Sequence, residues 1–166
     1  MLDALTMEMI RYYKGDADRI QHFIKVHRYA QLIAASEHLD TDLRFVTEAA
    51  AIVHDIGIRI CEQKYGDCSG KLQEKEGPAL AEEMLKRLGF SPKVTERVSY
   101  LVGHHHTYDN IDGMDYQILV EADFLVNLHE NGSEQNTIRT TYDKIFKTEA
   151  GKELCREMYG FRNSNG

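Results

Sequence analysis

The sequence predicts an all-α fold, a single-domain helical bundle over residues 1–166, and three observations carry that reading. Only two prolines and no tryptophan occur, while Ala, Leu, Glu and Lys are frequent, which is helix-forming composition. Apolar residues recur at three- and four-residue spacing in segment after segment, and none alternates convincingly with period two. Cap and stop residues punctuate those segments at helical lengths.

Residues 3–13 read as a short amphipathic helix stopped at Gly15. Asp16 or Asp18 then caps a long helix to about Leu39, with Ile20, Phe23, Ile24, Ala30 and Ala34 at helical spacing and His27 on the same stripe. Thr41 and Asp42 suit the N-cap of a helix that carries Val46, Ala49, Ala50 and Val53 to His54, and Gly57 weakens or ends it. Cys61 to Lys75, with Gly66, Asp67, Ser69 and Gly70, is the polar and least regular part and predicts a mobile loop over a site. Pro78 suits the first turn of a helix ending at Gly89. Ser91-Pro92 opens the next, which runs through Val98, Leu101 and Val102 into His104-His105-His106. Asp109 to Gly113 reads as a turn, and Asp115 to about Glu130 as a strongly apolar helix enclosing Asp123. Helices at roughly 133–147 and 149–159 follow, and Asn163 to Gly166 reads as a frayed tail.

A formal charge of −7 argues against a nucleic-acid backbone or an anionic membrane surface as the main partner. A small phosphorylated substrate stays open, because a metal ion and a few local cations reverse the sign inside a cleft. Three cysteines, Cys61, Cys68 and Cys155, have no zinc-type spacing and read as reduced thiols. No stretch approaches eighteen apolar residues, and Met1-Leu2-Asp3 lacks the layout of a signal peptide, so a cytoplasmic protein is expected. A homodimer contact through residues 3–13 or the last two helices is open.

His27, His54, Asp55 and Asp123 are metal-competent residues set in otherwise apolar stripes from three separate helices. A core would have to satisfy two imidazoles and two carboxylates without a cation, which is costly. Two imidazole nitrogens and two carboxylate oxygens instead make a mixed site for Mn, Fe, Co, Ni or Zn.

The pattern His27 … His54-Asp55 … Asp123, over about residues 18–130, resembles the HD-domain superfamily of metal-dependent phosphohydrolases. The resemblance implies a divalent ion on those four residues and hydrolysis of a phosphoester of a nucleotide or related small molecule. The alternative it allows is a non-catalytic regulatory module that binds metal or nucleotide. Asp55 or Asp123 is then the residue to orient a water or take its proton, and Asp55 is taken as the catalytic one. Candidate phosphate-binding cations are Arg28, Arg59, Lys71 and Lys75. Some branches hold a second ion through extra histidines, for which His104, His105 and His106 are candidates. Consecutive helical residues point about 100° apart, so at most two of the three can share a site. Glu76 stands where those branches usually place another histidine. The expected arrangement is therefore one ion, with His104 or His105 at the phosphate, and His104 is taken as the catalytic member. Ile58 stands where the deoxynucleotidase branch has glutamate, so no substrate is assigned.

Overall fold

The computed structural model describes residues 1–161, which form nine α-helices with no strand among them. The helices are α1 (Leu2–Tyr12), α2 (Ala17–Ser36), α3 (Thr41–Val53), α4 (Ile58–Tyr65), α5 (Gly70–Arg87), α6 (Pro92–Val102), α7 (Met114–Glu130), α8 (Gln135–Ile145) and α9 (Glu149–Tyr159). The expected tail at Asn163 to Gly166 lies outside the described residues.

Caps set most of the starts. Asp16 accepts from the Arg19 amide and opens α2, and Ser91 accepts from the Val94 amide and opens α6. Asp40, rather than Thr41 or Asp42, caps α3 by accepting from the Leu43 amide. Its backbone is extended, as an N-cap requires, whereas Thr41 is already helical.

Helices α2, α3 and α7 pack on one another as the centre of the bundle. Every residue of α3 from Val46 to Val53 is buried, and so is nearly all of α7 from Asp115 to Leu128. An apolar surface on all sides suits a helix at the middle of a bundle. The central helices therefore carry Asp123 and the His54-Asp55 pair into the interior.

Two segments differ from their sequence expectation. Cys61–Lys75 is not an irregular loop: α4 and α5 occupy most of it, joined only by residues 66–69. Cys61 is fully buried, and the Gln73 amide donates to the Cys68 carbonyl at 2.8 Å, so packing orders a stretch whose composition is weakly helical. Helix α5 starts at Gly70, and Pro78 lies inside it. The ring faces the bare Cα of Gly103, where an added Cβ would stand 3.0 Å from the proline Cγ.

Among the described residues no helix is long and apolar enough to cross a membrane.

Candidate metal centre

His54 and Asp55 sit in the tight turn where α3 ends and α4 has not begun. Helix α1 holds that turn from behind. The Tyr13 hydroxyl donates to the Asp55 carbonyl at 2.7 Å, and the Tyr12 hydroxyl to the Ile56 carbonyl at 3.1 Å. On the other side Gly57 meets α5 backbone to backbone. A Cβ there would lie 3.0 Å from the Gln73 carbonyl oxygen and 3.1 Å from the Gly77 nitrogen.

His54, Asp55 and Asp123 come together as their pattern suggested, but the second imidazole is His22, not His27. His22 Nε2 lies 3.3 Å from His54 Nε2, 3.1 Å from Asp123 Oδ1 and 3.3 Å from Asp55 Oδ2. His54 Nε2 lies 3.4 Å from Asp55 Oδ2 and 3.5 Å from Asp123 Oδ1. His27, further along α2, reaches Glu48 of α3 at 3.1 Å and shares that carboxylate with Gln31 and Arg44. The physical reason is angular. His22 and His27 are five positions apart, so their side chains leave α2 about 140° apart and face different neighbours. His22 precedes the buried Val26 by four residues and shares its face, a signal the sequence carried.

Hydrogen bonds at the far ring nitrogens fix the tautomers. His54 Nδ1 donates to the Ala51 carbonyl at 2.9 Å, and His22 Nδ1 donates to Glu130 at 2.8 Å. Both Nε2 atoms then present lone pairs to each other and to two carboxylate oxygens. Four electron-rich atoms facing one another in a buried site require a cation or shared protons. The fields agree. Burial opposes charge on His54, yet Asp55 and Asp123 hold its imidazole well above the ordinary value. Burial likewise opposes ionisation of Asp123, and His22 and His54 outweigh it to hold the carboxyl well below the usual range. The donor set of imidazole and carboxylate, with a carboxylate and a carbonyl orienting the two rings from behind, fits a divalent transition ion.

A second group adjoins the first. Asp55 with His105 and His106 offers three ligand atoms within 4.8 Å of one another. Asp55 Oδ1 lies 3.5 Å from His105 Nε2, while its Oδ2 faces His22 and His54. His105 repeats the device of His54, donating from Nδ1 to the carbonyl three residues back, that of Val102, at 2.8 Å. The Nε2 atoms of His105 and His106 and the Oε1 of Gln73 are buried without a hydrogen-bond partner. Burial and the neighbouring His105 push His106 down to about 4.

The remaining sequence candidates lie elsewhere. His104 stacks on Tyr100 with ring centroids 4.1 Å apart and bonds from Nδ1 to the Tyr100 carbonyl at 2.7 Å, so its ring is drawn out of both groups. The helix ends at Val102, and the turn that follows keeps His105 and His106 together while His104 lies back against Tyr100. Glu76 points to α4, bonded by Lys64 at 2.6 Å and Tyr65 at 2.7 Å, and Gln73 one turn earlier takes the place beside the histidines.

The cleft over these groups has a volume of about 390 Å³. None of Arg28, Arg59, Lys71 and Lys75 lines it. Arg28 bonds Gln31, Arg59 the Tyr12 carbonyl and Lys75 the Tyr65 hydroxyl, and Lys71 is exposed. The cation that does line it is Arg19, missed in the sequence because it reads as an ordinary surface residue of α2.

No curated protein matches the chain. Among solved structures it is similar to the crystal structure of a predicted HD superfamily hydrolase from an uncultured Thermotogales bacterium. The two are 25% identical with a TM-score of 0.65, and the match covers 96% of this chain and 84% of that one. The family model of the HD domain matches residues 19–148, from the start of α2 through α8 and so across every residue of both histidine–aspartate groups. With that match spanning most of its length, the chain belongs to the HD domain family.

Proposed function

We propose that the protein is a metal-dependent phosphohydrolase that cleaves a small phosphate ester, nucleotides included. One ion would be held by His22, His54, Asp55 and Asp123, and a second by Asp55, His105 and His106. The observation that carries this is the convergence of buried lone pairs on both sides of Asp55, with ring nitrogens at His105 and His106 that no protein donor satisfies. This moves the expected number of ions from one to two, because Asp55 presents a different oxygen to each group. Membership of the HD family and the likeness to an HD hydrolase support the reaction class.

When bound, such ions polarise a phosphoryl oxygen and lower the pKa of a water. The protein's own residues do the rest. Glu130 and the Ala51 and Val102 carbonyls fix three imidazoles by their Nδ1 hydrogens. Asp123 is steadied by the Asn127 amide at 2.8 Å, and Asp55 by the α1 tyrosines through its backbone. Asp55 and Asp123, the carboxylates at the histidine end of the cleft, would orient a water and take its proton. In the net reaction a water oxygen bonds to phosphorus, the ester P–O bond breaks, and the alcohol leaves with one of the water's protons.

The test is metal analysis of protein purified without chelator, with a phosphate-ester panel on wild type and Asp55→Asn. Transition metal above one equivalent, and turnover lost with Asp55→Asn, are expected. Undiminished turnover by the variant would end this reading.

A further inference from the structure

The face of α5 turned to the histidines carries a ligand atom that is neither imidazole nor carboxylate, an amide oxygen. Gly70, Gln73, Glu74 and Gly77 fall three and four positions apart, so they share that face. The neighbours of Gln73 on it all meet the end of α6 or the turn beyond. A Cβ added at Gly70 would stand 2.7 Å from the His106 ring, and one at Gly77 would stand 2.8 Å from Val102 Cγ1. Glu74 accepts from the His106 amide and the Thr107 hydroxyl, both at 3.0 Å. Gln73, in the middle of this face, lines the cleft with Asp55 and His106. Its amide has a fixed orientation. Nε2 donates to the Cys68 carbonyl at 2.8 Å, and a flipped amide would set two oxygens against each other there. Oε1 is therefore the atom turned away from Cys68, and it is buried with no hydrogen-bond partner. The Nε2 atoms of His105 and His106 share that state. His105 gives its Nδ1 hydrogen to Val102, and His106 Nδ1 meets the Tyr108 hydroxyl at 3.4 Å. Asp55 Oδ1, 3.5 Å from His105 Nε2, adds a fourth acceptor. A water brings two hydrogens to these four acceptors, whereas one cation can face all of them.

We propose that Gln73 Oε1 is the fourth protein ligand of the second ion, beside Asp55, His105 and His106. The assignment rests on the two-ion part of the phosphohydrolase reading. It makes the two positions unequal. The first ion has two carboxylates, whereas the second shares one of them, takes its other ligands neutral, and stands next to the first ion's charge. The second ion is thus the weaker and exchangeable one. An amide oxygen among its ligands favours a hard divalent ion such as manganese there.

The test is calorimetric titration of chelator-stripped protein with manganese(II), on wild type, Gln73→Leu and Gln73→Glu. Both variants lose the bond to Cys68, but the glutamate keeps an oxygen and adds a charge. Wild type is expected to bind two ions per chain, the second about tenfold more weakly than the first. Gln73→Leu binds one, with the first Kd unchanged, which also shows that the variant is folded. Gln73→Glu binds two, with the second Kd about tenfold below that of wild type, the scale of one added charge beside the ion. Two ions at wild-type affinity in Gln73→Leu would overturn the assignment and leave the two-ion reading standing. A second ion lost equally from both variants would mean that Gln73 acts only through Cys68, and would overturn it too. One ion or none in the wild type overturns the two-ion reading, and the assignment with it.

Discussion

At the scale of single residues, the site turns on which face of α2 a histidine occupies. His22 is buried and meets Asp123, whereas His27 is half-buried and meets Glu48. His22→Ala is expected to purify without the ion bound at His54. His27→Ala should keep the ion and lose only about 1 kcal/mol, because Glu48 retains Arg44 and Gln31. Metal analysis and denaturant unfolding of the two variants check this, and a metal-free His27→Ala protein would contradict it. The HD pair and Asp123 were legible in the sequence because a charged residue amid Ala, Ile, Leu and Val marks itself. His22 was missed although it stands four residues before Val26, because the inward face of α2 was read from Phe23 and Ala30, a stripe that picks out His27. The cations were illegible for a related reason: which arginine reaches a cleft depends on tertiary placement that spacing does not encode.

At the scale of elements, the turn after α3 is clamped between α1 and α5. Gly57 is required there by close approach and not by dihedral freedom, since its φ is −71°. Gly57→Ala would press a methyl against the Gln73 carbonyl and the Gly77 amide, both backbone and unable to rotate away. A loss of about 1–3 kcal/mol is expected from such overpacking, read by chemical denaturation, and an unchanged midpoint would refute the clamp. The boundaries of α2, α6, α7 and α9 were readable to within a few residues because caps and apolar stripes agree. Helix α4 escaped notice because eight polar-rich residues are too few to show a stripe, and the start of α5 was placed too late because Pro78 imitates a start signal inside a longer helix.

At the scale of the whole molecule, buried Glu121 of α7 ties the last two helices to the centre. It accepts from the Lys147 and Thr148 amides at 2.6 and 2.9 Å, from the Thr148 hydroxyl at 2.5 Å and from Gln117 at 2.7 Å. Burial pushes its carboxyl up, and those hydrogen bonds only partly oppose the rise. A carboxyl held above its unfolded value of about 4.3 keeps its proton longer in the fold, so its contribution is greatest below that pH and shrinks as pH rises through the raised value. The stability difference between wild type and Glu121→Gln is therefore expected to narrow from pH 4 to pH 7 in parallel unfolding curves. A difference that widens would reverse the assignment. The bundle also bears on the order in which ligands assemble. His54 stands at the C-terminal end of α3 and His105 just beyond that of α6, each bonded to a carbonyl of its own helix's last turn. The negative ends of two helix dipoles thus converge on the cleft and add to its carboxylates. That field draws a cation in and turns an anion away, so on the proposed reading the ion is expected to enter first, with affinity for a phosphate ester rising and falling with the free ion concentration, as titrations at several ion concentrations would read.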